Sequence, residues 1–330
     1  MATMKDIARL ANVSTSTVSH VINNSRFVSE EIRKKVLKVV DELDYKPSAL
    51  ARSLKVKETK TLGMLVTTSD NPFFSEVVTC VERYCSKLEY NLILCNTDGK
   101  SDRIEKSCNT LIQKQVDGLL LMCTESHFES QLPILSTPAV VMDWWPEDLK
   151  VDKVFENSKL GGFLATETLI KAGHTKIAII TGSLKKHLAR QRLEGYKEAL
   201  IKYNIPICRE WIIESHFSCT GGIVGMEKLL TASVFPTALF ASSDTIALGA
   251  YQVAWRANLN IPNDLSIIGY DDISLAKYLS PPLSSVCQPK EQLAKTAVDL
   301  LLSRIKKQHR KIKEIHLDPK IINRDSIYLK

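Results

Sequence analysis

The sequence predicts an all-α helix-turn-helix head followed by a doubly wound α/β body. Two patterns carry this prediction. Apolar residues recur at three- and four-residue spacing through the first 45 residues, which is the period of amphipathic helices. From residue 62 onward, short and nearly continuous runs of Val, Ile and Leu alternate with amphipathic stretches. Such runs are typical of strands in a parallel sheet that is covered by helices on both faces.

The head opens with two short helices that are separated by a sharp break. Thr3 can cap the first helix, and Asp6, three residues later, complements its N-terminal dipole. The expected inner face of this helix consists of Ile7, Ala8, Leu10 and Ala11. Asn12 and Val13 interrupt the run, and Ser14 caps the second helix. The expected inner face of the second helix consists of Val18, Val21 and Ile22.

The outer face of the second helix is small, polar and uncharged. It consists of Thr15, Ser16, Thr17, Ser19 and His20. Short hydroxyls at a helix N-terminus can approach phosphates and base edges in a DNA major groove without clashing, whereas a solvated helix usually carries Lys and Glu. We therefore favour a DNA-reading helix over an ordinary helical hairpin.

A third helix is expected to complete the small core of the head. Ser29 is its predicted cap, and the helix should run from Glu30 to about Leu43. Its inner stripe would consist of Ile32, Val36, Val39, Val40 and Leu43. Because the outer face carries mixed charges, as solvent favours, we assign this helix a structural role.

A further helix of about two turns is predicted at Ser48–Val56. Such a helix is too short to persist alone in water. Its Ala-rich surface would allow two copies to approach closely, with Leu50 and Leu54 presented together, and an apolar side chain there could wedge a minor-groove base step. The alternative is a soluble linker with accidental helical periodicity.

Charge and composition narrow the classes of function. The net charge is +7, and residues 1–60 hold twelve Lys and Arg against seven Asp and Glu, so the head is basic and the body nearly neutral. That asymmetry suits a terminal module that neutralises phosphates. The eight cysteines show no metal-ligand spacing, and the sequence has no secretory signal and no long apolar span, so we expect a cytoplasmic protein. Phosphate-loop, nucleophile-elbow and dinucleotide motifs are missing, so no enzyme class is indicated.

Seven apolar runs are predicted strands of the body. They are Leu62–Val66, Leu92–Cys95, Gly118–Met122, Ala139–Met142, Ile177–Ile180, Ala238–Ala241 and Leu265–Gly269. Polar and aromatic side chains follow five of these runs. Because ligands bind at the carboxyl ends of strands in open α/β sheets, these side chains should line one crevice. For Asp244 and Asp272 individually, a role as a helix cap is the alternative, and the pattern does not distinguish one sheet from two lobes.

Together these features resemble the lac repressor family of transcription regulators over the whole chain. The pieces that carry the resemblance are Met1–Asp6, Val13–Asn23, Ser48–Lys55 and the strand-end motifs. The resemblance implies a DNA-binding domain at 1–47, a hinge helix and linker at 48–60, and an effector-binding and dimerisation domain at 61–330. The body is similar to a periplasmic ribose-binding protein. Its first lobe would take about 61–160 and 290–317, and its second lobe about 161–289 and 318–330.

The resemblance also assigns site residues. The DNA-binding set is Thr15, Ser16, Thr17, Ser19, His20, Arg26, Ser48, Leu54 and Lys55. The ligand-binding set is Asn71, Phe73, Phe74, Asp143, Trp144, Arg190, Arg192, Phe217, Ser243, Asp271 and Gln288. In this set Phe73, Phe74 and Phe217 would stack on sugar C–H faces, the two aspartates would accept hydroxyl protons, and Arg192, with Arg190 as the alternative, would supply the guanidinium. Ser243 stands where the family commonly has Asn, which weakens the identification of the ligand.

The function implied by the resemblance is that of a homodimeric repressor on a pseudo-palindromic DNA operator. A pentose effector, D-ribose or a relative, would release it from DNA, without cofactor, metal, catalysis or membrane contact. Three alternatives stay open. A purine-type repressor would use its ligand as a corepressor, since the aromatic side chains could equally stack on a base. A sugar-binding transport protein and a sugar-processing enzyme belong to different classes, and the basic head opposes the former.

Overall fold

The computed structural model describes residues 2–45, 58–123, 137–143, 149–307 and 311–328. The chain divides into two compact units, Met1–Thr59 and Lys60–Lys330. The predicted hinge contacts Ser48, Leu54 and Lys55, and the predicted cavity residue Trp144, lie outside the described residues.

Within residues 2–45, the described part of the first unit apart from 58 and 59, three helices surround a small apolar core. They are α1 (Met4–Leu10), α2 (Thr15–Asn23) and α3 (Glu30–Glu42). Ile7, Val18 and Val36 are completely buried at their junction. The caps follow the sequence: the Thr3 hydroxyl accepts from the Asp6 amide, while the Asp6 carboxylate accepts from the Thr3 amide at 3.0 Å.

Two details of the predicted head are wrong. Leu10 is 56% exposed and does not belong to the inner face of α1. The buried residues of α1 lie within about 100° of one another around the helix axis, and Leu10 is rotated away from them while Ala11 takes the inner position. Ser29 precedes α3 as predicted, but its side chain makes no capping hydrogen bond.

The described residues of the second unit form two six-stranded sheets, which resolves the question that the sequence pattern left open. The strands of the first sheet are β1 (Thr61–Val66), β2 (Asn91–Asn96), β3 (Gly118–Met122), β4 (Ala139–Met142), β5 (Asp152–Glu156) and β11 (Glu314–Leu317). Their order is β11-β5-β4-β3-β1-β2, and all pairs are parallel.

The second sheet repeats this plan with one antiparallel edge. Its strands are β6 (Ile177–Thr181), β7 (Ile212–Glu214), β8 (Ala238–Ala241), β9 (Ser266–Asp271), β10 (Ser284–Cys287) and β12 (Lys320–Ile322). Their order is β12-β10-β9-β8-β6-β7, and only β12 runs antiparallel to its neighbour.

Seven helices cover the sheets in the described part of the second unit. They are α4 (Pro72–Lys87), α5 (Ser101–Gln113), α6 (Ser158–Lys171), α7 (His187–Lys202), α8 (Cys219–Leu230), α9 (Asp244–Arg256) and α10 (Lys290–Lys306), with 3-10 turns at Arg209–Trp211 and Ala276–Tyr278. Helix α10 packs on α4 and on the first sheet, and α6 packs on α7. The α6–α7 contact depends on Gly162, where a Cβ atom would lie 2.2 Å from the carbonyl oxygen of Arg192.

The chain passes between the two sheets three times, so the sheets form two lobes that share three crossovers. The crossovers follow β5, β10 and β11. We call the lobe built on β1 the first lobe and the lobe built on β6 the second lobe. Because the crossovers begin at strand ends, the carboxyl ends of strands from both lobes face a common cleft.

All seven predicted runs are strands, but one was expected to be more deeply buried. Ile93 is 36% exposed and Leu94 is 38% exposed, because β2 is an edge strand with a neighbour on one side only. Five strands were not predicted: β5, β7, β10, β11 and β12. They are short, and polar residues interrupt their apolar pattern, as in the Asp-Lys-Val-Phe-Glu sequence of β5.

Candidate functional site

A cavity of about 130 Å³ lies between the two lobes. The first lobe contributes Thr67, Thr68, Asn71, Phe73, Phe74 and Asp143 to its lining. The second lobe and the crossover after β10 contribute Lys186, Leu188, Arg192, Phe217, Ser243, Asp271 and Gln288. Nine residues of the predicted ligand-binding set are therefore brought together around one space.

The start of α4 places an amide and two aromatic rings at this cavity. The Asn71 side chain caps the helix by accepting from the Phe73 amide at 3.0 Å, and Pro72 occupies the first helical position. The rings of Phe73 and Phe74 meet edge to face with centroids 5.6 Å apart. Both rings are buried, so the cap fixes an apolar wall on the side of the first lobe.

Arg192 lies opposite this wall and is only 3% exposed. One terminal nitrogen donates to the Ser242 carbonyl at 2.7 Å and lies 3.8 Å from an Asp271 carboxylate oxygen. The guanidinium stacks on the Tyr270 ring at 3.7 Å and lies 5.6 Å from the Phe217 ring centroid. Its Nε atom is buried and has no hydrogen-bond partner among the described residues.

Gln288 and Asp271 form the second polar pair of the lining. Gln288 donates from Nε2 to the Asp271 carboxylate at 2.7 Å. The other amide atom, Oε1 of Gln288, is buried and finds no partner in the described part of the chain. A buried acceptor without a partner is costly, and a ligand hydroxyl that donated to it would remove that cost.

Three buried carboxylates share the Arg192 guanidinium. They belong to Asp143, Asp271 and Glu156. Burial raises the pKa of each, and the positive charge of Arg192 opposes that rise. For Glu156 the pKa is raised to about 7. The three carboxyl groups and the single guanidinium therefore form one electrostatically coupled cluster in this part of the cleft.

Glu156 was not predicted as a site residue because β5, which it ends, was not recognised as a strand. Its carboxylate accepts from the Tyr270 hydroxyl at 2.5 Å and from the Ser158 hydroxyl at 2.7 Å. A Cβ atom at Gly161 would lie 1.9 Å from the Tyr270 hydroxyl, so glycine is needed there. Glu156 also lines a second cavity, of about 340 Å³, which shares Asp143 with the first.

The structure corrects three other interpretations. Arg190 is exposed and does not line the cavity, because its guanidinium donates to the carbonyls of Leu184 and Lys185 at 2.8 Å. Ser243, which lines the cavity as predicted, also caps α9 by accepting from the Ile246 amide at 3.2 Å. Asp244 is not a cap.

Asp244 and Asp272 instead organise the loop after β9. Asp244 is fully buried and accepts from the Ile273 amide at 2.8 Å and from the Ser285 hydroxyl at 2.7 Å. Asp272 pairs with Arg324 at 2.6 Å, so neither carboxylate caps a helix.

Four lining residues were not predicted: Thr67, Thr68, Lys186 and Leu188. Thr67 and Thr68 directly follow β1, so the strand-end rule that identified Asn71 could also have identified them. Lys186 and Leu188 flank the start of α7.

No group of three or more His, Cys, Asp or Glu side chains in the described ranges could hold a metal ion. Among the helices described, none is long and apolar enough to cross a membrane.

In the head, the polar face of α2 begins with exposed Thr15 and Ser16. The Ser14 hydroxyl lies 2.7 Å from that of Ser16 and 2.8 Å from that of Thr17, which is half-buried. The other predicted DNA contacts are half-buried Ser19, half-buried His20 and exposed Arg26. His20 lies 2.9 Å from the Ser25 hydroxyl through Nδ1, so its ring orientation is fixed by the following loop.

Comparison with known proteins places both units in one family. Residues 3–48 match the model of bacterial regulatory proteins of the lacI family, and residues 166–327 match a periplasmic binding protein-like domain. The chain is 59% identical to the ribose operon repressor of Haemophilus influenzae, with 99% of each chain covered. It is 46% identical to the HTH-type transcriptional repressor PurR of Aliivibrio salmonicida, again with 99% of each covered.

Solved structures give the same result. The lac repressor dimer bound to operator and an anti-inducer matches with a TM-score of 0.88 and 26% identity over 99% of each chain. A LacI family regulator from Enterococcus faecium with bound ribose matches with a TM-score of 0.73 and 32% identity, covering 82% of this chain and 99% of that one. By its head, its body and its full-length relatives, this chain belongs to the lacI family of bacterial regulatory proteins.

Proposed function

We propose that the protein is a sugar-responsive repressor that binds operator DNA through α2 and is released by D-ribose bound between its lobes. The regulated genes would be those for uptake or breakdown of that sugar. Two comparisons support this proposal. The relative at 59% identity is named a ribose operon repressor, and the regulator from Enterococcus faecium was solved with ribose bound.

The observation that carries the proposal is the chemistry of the small cavity. Aromatic rings from both lobes, Phe73 and Phe217 among them, suit the apolar C–H faces of a pentose. The polar atoms Arg192 Nε and Gln288 Oε1 are buried and lack partners in the described structure, so they are suited to bind an acceptor and a donor of the ligand respectively. At about 130 Å³ the cavity is small compared with the roughly 300–1,000 Å³ of drug-sized sites, which favours a monosaccharide.

Asp143 is the residue whose role this chemistry defines best. Its carboxylate is buried at the cavity, and no described residue donates a hydrogen bond to it. A buried carboxylate needs such donors, and a pair of vicinal hydroxyls would supply them. We therefore assign Asp143 and Asp271 as acceptors for sugar hydroxyls.

The DNA-binding part of the proposal rests on the exposed polar start of α2 and on the match of residues 3–48 to the lacI family. Ser16 and His20 would read base edges, whereas exposed Arg26 would contact phosphate. A homodimer would present two copies of α2 to the halves of a pseudo-palindromic operator. Contacts by Ser48, Leu54 and Lys55 stay predictions.

Sugar and operator binding are expected to be linked. If closure of the lobes on ribose lowers operator affinity, linkage requires that operator lower ribose affinity by the same factor. The decisive measurement follows fluorescence anisotropy of labelled operator while ribose, other pentoses, hypoxanthine or guanine is added. Ribose should release DNA. A purine that tightened DNA binding would instead identify a purine-type repressor, which the 46% identity to PurR makes the main competitor.

Replacing Asp143 with Ala tests the site itself. The loss of an acceptor for sugar hydroxyls should weaken ribose binding by ~1–3 kcal/mol, which is roughly one to two orders of magnitude in affinity. Operator affinity without sugar should not change, because Asp143 lies outside the head. Glu227→Ala, on the exposed face of α8, is the matched control and should bind ribose normally.

Unchanged ribose affinity in Asp143→Ala would remove the assignment of this residue. The same titration, followed by NMR of the recovered sugar, separates binding from catalysis. Ribose should be recovered unaltered after incubation with the pure protein, and its conversion to another compound would favour the enzyme alternative.

A further inference from the structure

An ion pair on the first lobe, outside the cavity, binds the backbone of the second lobe. Glu76 lies on α4 and Lys290 is the first residue of α10, and both helices pack together on the first lobe. The ammonium of Lys290 lies 2.7 Å from a carboxylate oxygen of Glu76. The side chains are 13% and 26% exposed for Lys290 and Glu76, so solvent screens this pair less than an ordinary surface pair.

Both partners also bind the backbone of the second lobe. Glu76 accepts from the Ser274 amide at 2.7 Å. Lys290 donates to the carbonyls of Asp271 and Asp272 at 3.0 Å and 2.7 Å. Three hydrogen bonds thus cross the cleft, and all three donor positions of the ammonium are used. We call this arrangement of Glu76, Lys290 and the backbone of 271–274 the clasp.

The Glu76 carboxyl group is ionised in the clasp. Burial acts to raise its pKa, but the hydrogen bonds from Lys290 and Ser274 outweigh burial and hold the pKa below its usual value. Charge-assisted hydrogen bonds of this kind are stronger than neutral ones. The clasp is therefore formed by an ion pair at neutral pH.

On its second-lobe side the clasp binds a strained backbone. Asp271 has φ = 102° and Asp272 has φ = 49°, which are left-handed values that non-glycine residues rarely adopt. Such conformations are unfavourable for residues other than glycine and persist only when their surroundings hold them. Lys290 binds the carbonyl of each strained residue. Its ammonium therefore helps to fix the direction in which the Asp271 carboxylate enters the cavity.

On the first-lobe side, Glu76 of the clasp and the aromatic rings of the cavity wall belong to the same helix, α4. Glu76 lies three residues beyond Phe73 on α4, and the cap at Asn71 begins the same helix. A rigid helix transmits a displacement of one turn to the next. Opening the cleft at the cavity would therefore pull Glu76 away from Ser274 and break the clasp.

We propose that Glu76 and Lys290 are positioning residues that hold the lobes closed around the effector and orient Asp271, without contacting the effector. This proposal rests on the proposed function for the identity of the effector as ribose and for the release of operator when the lobes close. The clasp adds to the affinity of the closed state and slows release of the sugar. Because operator release follows from lobe closure, the clasp also sets the sugar concentration at which the repressor leaves DNA.

The test uses the full-length protein and two single variants. Glu76→Gln keeps the shape and the acceptor for Ser274 but removes the charge, and Lys290→Met removes all three donors. Each should weaken ribose affinity by about tenfold to a hundredfold, mainly through faster dissociation measured by stopped flow. Operator affinity without sugar should not fall, because under the proposed function more open lobes favour the operator-bound state. Lys290→Arg, which keeps a cation with several donors, should retain more affinity than Lys290→Met.

Matched controls lie on the same helices. Glu82 on α4 and Lys295 on α10 are exposed, and Glu82→Gln and Lys295→Met should leave ribose dissociation at the wild-type rate. The double variant of Glu76 and Lys290 should lose less affinity than the two single losses combined, since the two residues act as one unit. Wild-type affinity and dissociation rate in both single variants would overturn the proposal.

A second measurement does not depend on ribose. Hydrogen exchange at the Ser274 amide, together with small-angle scattering of the sugar-free protein, reports whether the lobes stay closed. Both single variants should exchange Ser274 faster and scatter as a more open body than the wild type and the controls. If the wild type binds no ribose, the proposed effector fails, and this measurement alone decides the clasp. Unchanged exchange and scattering would then refute it.

Discussion

Removing the positive charge of Arg192 should destabilise the body strongly. Arg192 is the cation shared by the buried carboxylates of Asp143, Asp271 and Glu156, and it also satisfies the Ser242 carbonyl. Breaking a buried charge cluster by deleting one partner typically costs ~3–5 kcal/mol. Arg192→Met keeps much of the apolar stem, so most of the loss reports the charge. At a shift of about 2–4 °C per kcal/mol, the unfolding transition should fall by roughly 10 °C.

The stability lost in Arg192→Met should increase as the pH rises. Without Arg192, the folded-state pKa values of the three carboxylates rise further above their unfolded values. A carboxylate with a raised folded pKa stabilises the fold at low pH, and this stabilisation is lost as pH rises through the folded pKa. The stability difference between wild type and variant should therefore widen between about pH 6 and 8, by about 1.4 kcal/mol per pH unit for each additional proton that the folded variant binds.

Urea denaturation without sugar, followed by circular dichroism at pH 5.5 and pH 8, measures both effects. Arg190→Met is the matched control, since Arg190 lies two residues away on α7, is exposed, and bonds only to loop carbonyls. It should change stability by less than about 1 kcal/mol. If Arg192→Met were as stable as the wild type at pH 8, or lost the same stability at both pH values, the reasoning about shared buried charge would be wrong.

Two further predictions concern single residues. Glu156→Gln should gain stability relative to the wild type as pH rises from about 4.5 to 7, because the carboxyl pKa is raised from 4.5 to about 7 in the fold and the neutral amide can still bond Tyr270 and Ser158. The gain should reach about 3 kcal/mol and level off above pH 7, and urea midpoints over that range that ran parallel for the two proteins would contradict it. Ser14→Ala should destabilise α2 by ~1 kcal/mol, because the Ser14 hydroxyl accepts from the Thr17 amide at 3.1 Å. Hydrogen exchange of the α2 amides in the full chain should become about fivefold faster, whereas equal exchange would show that the cap adds nothing.

Local chemistry made the head and most strands predictable. The caps at Thr3 and Ser14 form as the sequence indicates, because each depends on a side chain and an amide three residues apart. Strands such as Gly118–Met122 are continuous apolar runs whose burial follows from composition alone. The strands that were missed are only three to five residues long and mix polar with apolar residues, and a pattern that short is shared with loops.

The helical period of α7 distinguishes Arg190 from Arg192. The two residues are rotated by about 200° around the helix axis, so they cannot share a face. Arg192 lies four residues after Leu188 and four before Tyr196, within the buried stripe of the helix. The spacing of apolar residues in the sequence therefore favours Arg192, although a buried arginine is unusual enough to argue against it.

Periodicity and local caps in the sequence determined most of the elements. The resemblance of its motifs to one family supplied the family and nine residues that gather at one cavity. Only the tertiary structure decided that the strands form two sheets, that Glu156 completes a buried charge cluster under Arg192, and that Glu76 meets Lys290 across 214 positions of chain. Contacts between residues so far apart in the sequence depend on the path of the crossovers, and a local sequence pattern does not predict that path. Their energies arise from burial and from neighbouring charges that exist only after the lobes have assembled.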